Sequence, residues 1–427
     1  MWYYIVDLRK FKEIGFNKIL GIVSEYNPFH NGHIVHLRQS IESTQSQFVI
    51  AVMSGNFIQR GDTAIVDKWT RAEMALRQGV DLVIELPTVY ATSSAENFAY
   101  GAIKILDSIG IVDYVSFGSE CGNINLMADI ADVLNDEPQE YSQLLHDQLQ
   151  LGRSFPSARE IAINEYFLGN TTYTNILKSP NNILGIEYIK ALKALDSSII
   201  PITIRRNYVD YNSTSPDLEK GIASASAIRT MIQNGKSIRK VVPQTTYDLI
   251  KQKAKLGQLV SGIGHYSNQI IYNLRKMSLD EIANLADVSE GLENVIKLAS
   301  MRTSNVYEAI SMIKSKRYTQ SRIQRIMLYS LLGITKKDIE LSKKVTPYIR
   351  ILGFTSKGKR LISAISDANP KLNIIISVKK FVDSNNNKNL HSLLSKDIFA
   401  TNVYTTAFES EGYGNIDFTK KIIQIDD

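Results

Sequence analysis

The segment KILGIVSEYNPFHNGHIVHL, residues 18–37, passes from one periodicity to another over a short length of chain. Residues 18–25 are nearly continuous in apolar side chains, which is typical of a strand buried on both faces. From Gly32 to residue 43 the apolar side chains recur with helical spacing. A buried strand that leads directly into a helix indicates the first half of a β-α-β unit in a parallel sheet.

The same alternation continues along the first half of the chain. We predict further strands at residues 47–53, 81–86, 114–117 and 201–206, and helices at residues 68–78, 93–108 and 223–233, with a mostly helical stretch over 123–195. Strands that alternate with helices predict a doubly wound, parallel-sheet α/β domain over residues 18–235. We expect residues 236–427 to form a second, mostly helical and basic domain, with one short β element at residues 372–378.

The composition fits a soluble protein of two domains. A chain of 427 residues is too long for one ordinary core, and 44% of the residues are hydrophobic while 22% are charged. The one cysteine, Cys121, excludes an internal disulfide and a cysteine-based metal site, and it fits a reducing cytosol. We find no run of about 18 apolar residues that would span a membrane. Charges interrupt the apolar residues of the amino terminus, so we interpret residues 1–17 as an extension without an assigned role.

Three of the six histidines fall in the turn between the first strand and the first helix. His30 and His33 lie three residues apart, so both can face one ligand at a helix start, and His36 follows one turn later. A helix N-terminus at the carboxyl edge of a parallel sheet offers free N–H groups that bind phosphate. Gly32 lets a nucleotide approach the backbone closely. The pattern predicts a phosphate site in which imidazoles donate hydrogen bonds to phosphate oxygens.

Two other interpretations of this turn stay open at the level of sequence. Histidines at positions i and i+3 can form half of a metal site, and they can also be ordinary side chains at an exposed helix start. No acidic or cysteine side chain lies nearby at the spacing of zinc ligands, so the sequence favours phosphate over zinc.

Glycines and basic residues follow the other predicted strands. We expect residues 54–62, SGNFIQRGD, to form a mobile loop that closes over a ligand; in it, Arg60 binds a phosphate or carboxylate, or is simply exposed. Gly118 permits a close approach of adenine or ribose, or is a plain turn glycine. Arg205 and Arg206 end the last strand, where neighbouring side chains reach the same phosphate only if the chain is already turning.

Two predicted helix starts carry polar groups. After Pro180, one of Asn181 and Asn182 is expected to cap the helix, which leaves the other to bind nucleotide. The segment SASAIR begins at Ser224, and its hydroxyl groups either cap N–H groups or hold triphosphate oxygens. Arg229 in the same segment either neutralises a leaving pyrophosphate or is a surface side chain.

Positive charge is concentrated in the second half of the chain. Residues 302–360 contain fourteen basic and three acidic residues, a net charge of +11, whereas the whole chain carries +6. Such a surface, with tyrosines interleaved, favours a polyanion such as RNA. Several of these aromatic residues must nevertheless be core, and lysine pairs are often only solvated. We predict that the following lysines bind RNA: Lys336, Lys337, Lys343 and Lys344.

Seven blocks carry a specific resemblance: GIVSEYNPFHNGHIVHL (21–37), AVMSGNFIQRG (51–61), DKWTRAEMAL (67–76), GVDLVIELP (79–87), FGSE (117–120), SPNNILGIEYIKAL (179–192) and TIRR (203–206). In sequence and in order they resemble the bacterial tRNA(Met) cytidine acetate ligase family, which belongs to the nucleotidyltransferase superfamily with the HxGH motif. The resemblance is dense over residues 18–235 and thinner from there to the carboxyl terminus.

The resemblance implies a Rossmann-like nucleotidyltransferase domain and a cytoplasmic two-step ligase. Acetate attacks the α-phosphate of ATP, accompanied by Mg²⁺, to give acetyl-adenylate; the wobble cytidine of elongator tRNA(Met) then takes the acetyl group and becomes N4-acetylcytidine. We expect catalytic roles for His30, His33 and Arg229. The implied ATP contacts are Val23, Ser24, Glu25, Tyr26, Asn27, Pro28, Phe29, His30, Asn31, Gly32, His33, His36, Gly118, Asn181, Asn182, Arg205, Arg206 and Ser224.

Two further function classes stay open beside this one. A nucleotidyltransferase that joins a nucleotide to a small phosphorylated acceptor would not need the basic half of the chain. A non-catalytic RNA-binding protein would not need the histidines of the first turn.

Overall fold

One eight-stranded sheet with helices on both faces organises the molecule. The computed structural model describes residues 18–173, 175–206, 221–289, 291–410 and 413–426, so the predicted extension at residues 1–17 lies outside the described residues. The strands, in chain order, are β1 Ile19–Ser24, β2 Phe48–Ser54, β3 Phe57–Ile58, β4 Asp62–Thr63, β5 Leu82–Leu86, β6 Tyr114–Ser119, β7 Ile200–Arg205, β8 Tyr348–Thr355, β9 Asn373–Ile375 and β10 Ile423–Ile425.

The strand order confirms the predicted doubly wound parallel sheet. The main path is β10-β8-β5-β2-β1-β6-β7, with β9 paired to β8, and the five strands from β5 to β7 are mutually parallel. The chain moves outward from β1 first in one direction and then in the other. The carboxyl ends of β1 and β6 therefore flank the topological switch point, where folds of this kind bind ligands.

Helices connect these strands and make up most of the second half. Before β8 they are α1 Asn31–Thr44, α2 Lys68–Leu76, α3 Thr88–Ala91, α4 Ala95–Ile109, α5 Ile124–Asp136, α6 Gln139–Gln150, α7 Phe155–Tyr166, α8 Pro180–Ala194, α9 Ala225–Gln233, α10 Gln244–Lys255, α11 Ser267–Lys276, α12 Leu279–Ala283, α13 Leu292–Arg302, α14 Val306–Ile313, α15 Gln320–Leu332 and α16 Lys336–Lys344. After β8 they are α17 Ser356–Ala368, α18 Val378–Ser384, α19 Lys388–Thr405 and α20 Ile416–Thr419.

The core has three parts. On one face of the sheet Val115 packs with Ile103 of α4, and on the other face Leu20 packs in a cluster with Ile228 of α9. A third cluster, which includes Ile270, fills the space between helices α11 to α15. The near-continuous apolar strands are explained by this cover on both faces.

The carboxyl-terminal segment returns to the sheet of the first half. β8 lies antiparallel to β5, and β9 and β10 pair with β8. The predicted β element at residues 372–378 is observed as β9, but β8 and β10 are not predicted from sequence. In the sequence, Arg350 suggests a solvated helix face. In the structure it lies in the middle of β8 and is buried. A division of the chain near residue 235 stays a prediction, since residues 348–425 complete the same sheet.

A buried ion-pair cluster joins the two halves of the chain. Lys68 Nζ lies 2.8 Å from Glu85 Oε1 and 2.9 Å from Asp417 Oδ1. Arg350 pairs with both of these carboxylates. Removing one member of such a set leaves an uncompensated buried charge and typically costs about 3–5 kcal/mol. The cluster therefore fixes α20 and β8 against β5.

Candidate active site

The turn after β1 places two histidines in the first turn of α1. His30 is the N-cap residue, and its Nδ1 accepts a hydrogen bond from the N–H of Gly32 at 3.1 Å. His33 Nδ1 accepts one from the N–H of His30 at 3.1 Å, which completes a reciprocal capping box. Since each Nδ1 is an acceptor, the proton of each neutral ring is on Nε2. Each imidazole therefore keeps one N–H donor for a ligand.

Burial favours the neutral form of the imidazoles of this turn. The rings of His30 and His33 stack, with centroids 3.7 Å apart. Burial lowers the pKa of His30 to about 3, and the positive charges of Arg206 and Arg229 act in the same direction. Burial, aided by His30, holds the pKa of His33 well below its usual value, and burial lowers the pKa of His36 to about 4. These groups can donate hydrogen bonds but are weak bases.

A cavity of about 350 Å³ opens beside these rings, at the switch point of the sheet. This volume is in the range of small-molecule sites. The ends of β1, β6 and β7 line it together with the starts of α1, α8 and α9. The predicted site residues that the structure brings together in its wall are Val23, Ser24, Glu25, Tyr26, Asn27, His30, Gly32, His33, His36, Gly118, Asn181, Arg205, Arg206, Ser224 and Arg229.

Four arginines contribute positive charge to the cavity wall: Arg60, Arg205, Arg206 and Arg229. Arg206 directly follows β7 and donates its backbone N–H to Ser119 O at 2.9 Å, and both it and Arg205 line the cavity. Arg229 Nη1 donates to Asn27 O at 2.9 Å, which holds this guanidinium against the histidine turn. The Ser224 hydroxyl accepts a hydrogen bond from Ala227 N–H at 3.1 Å and so caps α9.

Gly118 makes room for one of these arginines. A Cβ atom at this position would approach Cγ and Cδ of Arg206 to 3.2 Å, a distance tighter than most Cβ contacts. The glycine therefore allows the Arg206 side chain to lie over the end of β6.

The adjacent asparagines Asn181 and Asn182 have different environments. Asn182 is buried; its Oδ1 accepts hydrogen bonds from the N–H groups of Glu120 and Cys121 at 2.9 and 3.0 Å, and its Nδ2 donates to Ile176 O at 3.0 Å. Asn181 lines the cavity and donates to Glu120 Oε1 at 2.6 Å. The prediction that one of them caps the helix is wrong, because Glu120 Oε2 accepts the first-turn N–H of Asn182 at 3.0 Å. Asn182 thus supports the turn that follows β6.

Three more of the predicted ATP residues lie outside the cavity wall. Phe29 is fully buried in the core, and Pro28 precedes it. Asn31 Nδ2 donates to Gly221 O at 2.8 Å and to Lys240 O at 3.1 Å, which ties the start of α1 to the segment around α9. In this structure these residues shape the turn and do not face the cavity.

Residues 54–62, predicted to be a mobile loop, form a packed element. β3 and β4 pair as a short antiparallel hairpin, and Phe57 is buried in the core of the helical second half. Asp62 Oδ1 accepts a hydrogen bond from Ile263 N–H at 2.8 Å. Gly61, with φ +75°, lies so close to Arg325 that a Cβ atom would be 2.5 Å from its backbone nitrogen. The prediction of a mobile loop is wrong because Gly61 and Phe57 pack closely against the helical second half of the chain.

The tip of this hairpin supplies cavity residues that sequence reasoning missed. Ile58 and Gln59 line the wall next to Arg60. Gln59 donates its backbone N–H to Glu25 Oε1 at 3.0 Å and its Nε2 to Ser93 O at 3.1 Å. A contact made through a backbone N–H leaves no signal in residue identity, so no motif could have revealed it.

The lysines predicted to bind RNA are all exposed at the two ends of α16: Lys336, Lys337, Lys343 and Lys344. Burial alone would raise the pKa of Glu96, but Lys190 and, more weakly, Lys343 lower it below its usual value. Lys343 is therefore near the first turn of α4, whose residue Ala95 lines the cavity.

Part of the charge of residues 302–360 is structural. Arg325 pairs with Asp287 at 2.7 Å, and Arg350 belongs to the buried cluster described above. Tyr329 and Tyr348 are also buried, so they are core side chains and unable to stack on bases. In the described residues we find no three His, Cys, Asp or Glu side chains arranged to hold a metal ion. No helix in the described ranges is both long and apolar enough to cross a membrane.

Comparisons with known proteins agree on one family. The chain matches the family model described as HIGH Nucleotidyl Transferase over residues 17–416. It is 46% identical over 409 residues to the tRNA(Met) cytidine acetate ligase of Thermoanaerobacter sp. (strain X514), covering 95% of this chain and 100% of that protein. It is 42% identical over 416 residues to the protein of the same name from Acetivibrio thermocellus, covering 95% of this chain and 99% of the relative.

Two solved structures of Thermotoga maritima TmcAL have the same fold. The apo crystal structure superposes with a TM-score of 0.90 at 35% identity, and the structure bound with alpha-thio ATP superposes with a TM-score of 0.88 at 34% identity. Each comparison covers 96% of this chain and 100% of the solved chain.

Proposed function

Because this chain belongs to the HIGH nucleotidyl transferase family, and within it to the tRNA(Met) cytidine acetate ligases, we propose that it acetylates the wobble cytidine of elongator tRNA(Met). In the first step ATP activates acetate as acetyl-adenylate. In the second step the exocyclic amine of the cytidine takes the acetyl group, which yields N4-acetylcytidine and AMP. One observation carries this proposal: a pair of neutral imidazoles at a helix N-terminus faces a cavity with four arginines in its wall.

Adenylation asks the protein mainly for alignment and charge stabilisation. An acetate oxygen attacks the α-phosphorus of ATP while the bond to pyrophosphate breaks, and negative charge develops on the phosphate oxygens. The Nε2–H groups of His30 and His33 would donate to these oxygens, beside the free N–H groups of α1. Arg229, Arg205 and Arg206 would supply fixed positive charge for the leaving pyrophosphate.

Mg²⁺ would accompany the triphosphate, as it does in most ATP-using enzymes. Its ligands would be phosphate oxygens and water, because the described residues of the cavity wall offer no cluster of carboxylates. The ion would add to the neutralisation of the pyrophosphate, and the side chains described above would position the phosphates.

The RNA would contact both the cavity mouth and the exposed lysines of α16. Phosphate contacts from these lysines would hold the tRNA in register, and they would make its affinity strongly dependent on salt. Since the substrates are tRNA and ATP, we place the reaction in the cytoplasm.

A paired assay tests the proposed function. The purified protein is given ATP and labelled pyrophosphate with or without acetate, and separately an unmodified tRNA(Met) transcript whose nucleosides are then analysed by mass spectrometry. We expect label exchange into ATP only with acetate, and N4-acetylcytidine only with ATP, acetate and protein together. Exchange that depends on a phosphorylated acceptor instead of acetate would indicate another nucleotidyltransferase. RNA binding without either reaction would indicate a binding protein.

A further inference from the structure

The cavity wall contains one acidic side chain, that of Glu25, among the described residues that line it. A carboxylate repels the triphosphate that the arginines and imidazoles attract. The other charged side chains of this wall attract anions, so the presence of the Glu25 carboxylate needs an explanation other than phosphate binding.

The structure fixes Glu25 firmly in this position. Arg71 Nη1 donates to the Glu25 backbone carbonyl at 2.6 Å, and the Arg71 side chain is fully buried. The Glu25 Oε1 atom accepts the backbone N–H of Gln59 at 3.0 Å. Within the described residues this backbone N–H is the one hydrogen-bond donor to the Glu25 carboxylate. The carboxylate forms no ion pair with any described residue. An oriented carboxylate whose second oxygen has no hydrogen-bond partner among the described residues is available to accept a proton.

Acetyl transfer needs such a proton acceptor. The lone pair of the cytidine exocyclic amine is delocalised into the ring, so the amine attacks a carbonyl carbon well only if a base removes its proton as the bond forms. His30 and His33 are poorly suited to this task, since their Nδ1 atoms accept hydrogen bonds from the turn and their Nε2 atoms carry the proton. The Nε2 atom of His36 is occupied by the hydroxyl groups of Ser40 and Ser116. No other group in the described wall combines negative charge with an open oxygen.

We propose that Glu25 is the general base of the acetyl-transfer step, an inference that rests on the proposed function. The cytidine N4 atom attacks the acetyl carbonyl carbon of acetyl-adenylate, the new C–N bond forms, and the C–O bond to the AMP phosphate breaks. The N4 proton passes to the Glu25 carboxylate, which later releases it to solvent, and AMP leaves with the bonding electron pair on its phosphate oxygen. No oxidant, reductant or further reactant is needed.

The hairpin gives this base a link to the helical half of the chain. The tip residue Gln59 orients the Glu25 carboxylate, while Phe57 and Asp62 anchor the hairpin base to the helical segment. The position of the base is thus set by the same part of the chain that carries the exposed lysines.

The test separates the two chemical steps in the Glu25→Gln variant, whose amide oxygen still accepts the Gln59 N–H. We expect single-turnover formation of N4-acetylcytidine to fall by about 10²–10⁴-fold, a much larger loss than that of acetate-dependent pyrophosphate exchange. Glu25→Asp, which keeps the carboxylate, should lose less than Glu25→Gln.

A matched control is Glu42→Gln, the same substitution at an exposed position of α1, which should leave both rates unchanged. An equal loss of exchange and transfer in Glu25→Gln would overturn the inference, since it would indicate a role in binding ATP or its cation. Transfer at the parental rate in Glu25→Gln would overturn it as well. If the parent itself shows no acetate-dependent exchange, the proposed function fails, and that result is distinct from the failure of Glu25 alone.

Discussion

His33 Nδ1 accepts the backbone N–H of His30 at 3.1 Å, so one imidazole both caps helix α1 and keeps its ring proton on Nε2. The position it occupies, the third of the helix, is the one at which Glu or Gln usually closes a capping box. A histidine there adds a neutral N–H donor at the point where the helix N-terminus attracts anions.

Substitutions of His33 should separate capping from catalysis. His33→Gln restores the usual capping side chain but lacks the imidazole donor, whereas His33→Ala loses both. We expect acetate-dependent pyrophosphate exchange to fall by about 10²–10³-fold in both variants, the range seen when one transition-state donor is removed. Only His33→Ala should also lower the free energy of unfolding, by about 1 kcal/mol, as a lost cap does.

Exchange rates and urea denaturation curves measure these two effects, and filter binding measures tRNA affinity, which should stay within twofold in both variants. Retention of full exchange activity in His33→Gln would show that the imidazole is not needed for adenylation.

Acid should destabilise the protein partly through His36. The folded state holds the pKa of His36 at about 4, below its ordinary value. Between the two values the unfolded chain binds more protons than the folded one, so stability falls as the pH is lowered from neutral towards 4. We expect His36→Gln to remove part of this dependence, on the order of 2 kcal/mol at pH 4 relative to pH 7.

Urea denaturation of the parent and the variant at several pH values gives the comparison, and His265→Gln, at a histidine outside the cavity, serves as the control. Parallel stability curves for the parent and His36→Gln would contradict the assignment.

The two asparagines at the start of α8 should behave differently. Asn182→Ala leaves two N–H groups and one carbonyl without their partner in a buried place, and we expect it to lower the free energy of unfolding by about 2–4 kcal/mol. Asn181→Ala should cost less stability and instead weaken ATP binding. Denaturation curves and calorimetric ATP titrations of both variants give the answer, and a reversed pattern would contradict the positions described here.

Neutralising the exposed lysines of α16 should weaken tRNA binding. We expect replacement of Lys336, Lys337, Lys343 and Lys344 by Gln to reduce the slope of log affinity against log salt by about 2–4, because each phosphate contact releases nearly one counterion. Pyrophosphate exchange, which needs no RNA, should be unchanged. An equal number of exposed lysines outside residues 302–360 serve as the control: Lys251, Lys255, Lys379 and Lys380.

An unchanged salt slope in the α16 variant would rule out these lysines as phosphate contacts. A loss of the same size in the control variant would mean that the overall charge of the protein, and no particular surface, governs the affinity.

Sequence alone predicts the sheet of the first half because its strands are buried on both faces. All five parallel strands appear within two residues of their predicted bounds, and the helix after each of β1, β2 and β5 is also present. Such runs have few alternatives, since a nearly continuous apolar segment of strand length must lie between two covering layers. The histidine turn is predictable for the same reason: it directly follows the first of these strands.

The elements that sequence missed depend on tertiary partners. In the sequence, Arg350 makes the segment of β8 look polar and therefore unlike a buried strand. Its ion-pair partners Glu85 and Asp417 lie far away in the chain, so the sequence does not reveal that this arginine is buried. Likewise Phe57 and Gly61 suggest an ordinary loop, because the sequence does not show that the helical segment packs against them. In the site, the roles of Gln59 and Asn182 come from backbone N–H groups, which every residue except proline possesses.

The function of this site depends most directly on whether a triphosphate lies against the two stacked imidazoles. A crystal structure of this protein with a non-hydrolysable ATP analogue measures this. We predict phosphate oxygens within hydrogen-bond distance of Nε2 of both His30 and His33, with the Arg229 guanidinium on the far side of the phosphates. A nucleotide bound elsewhere, or phosphates that contact neither imidazole, would contradict the account.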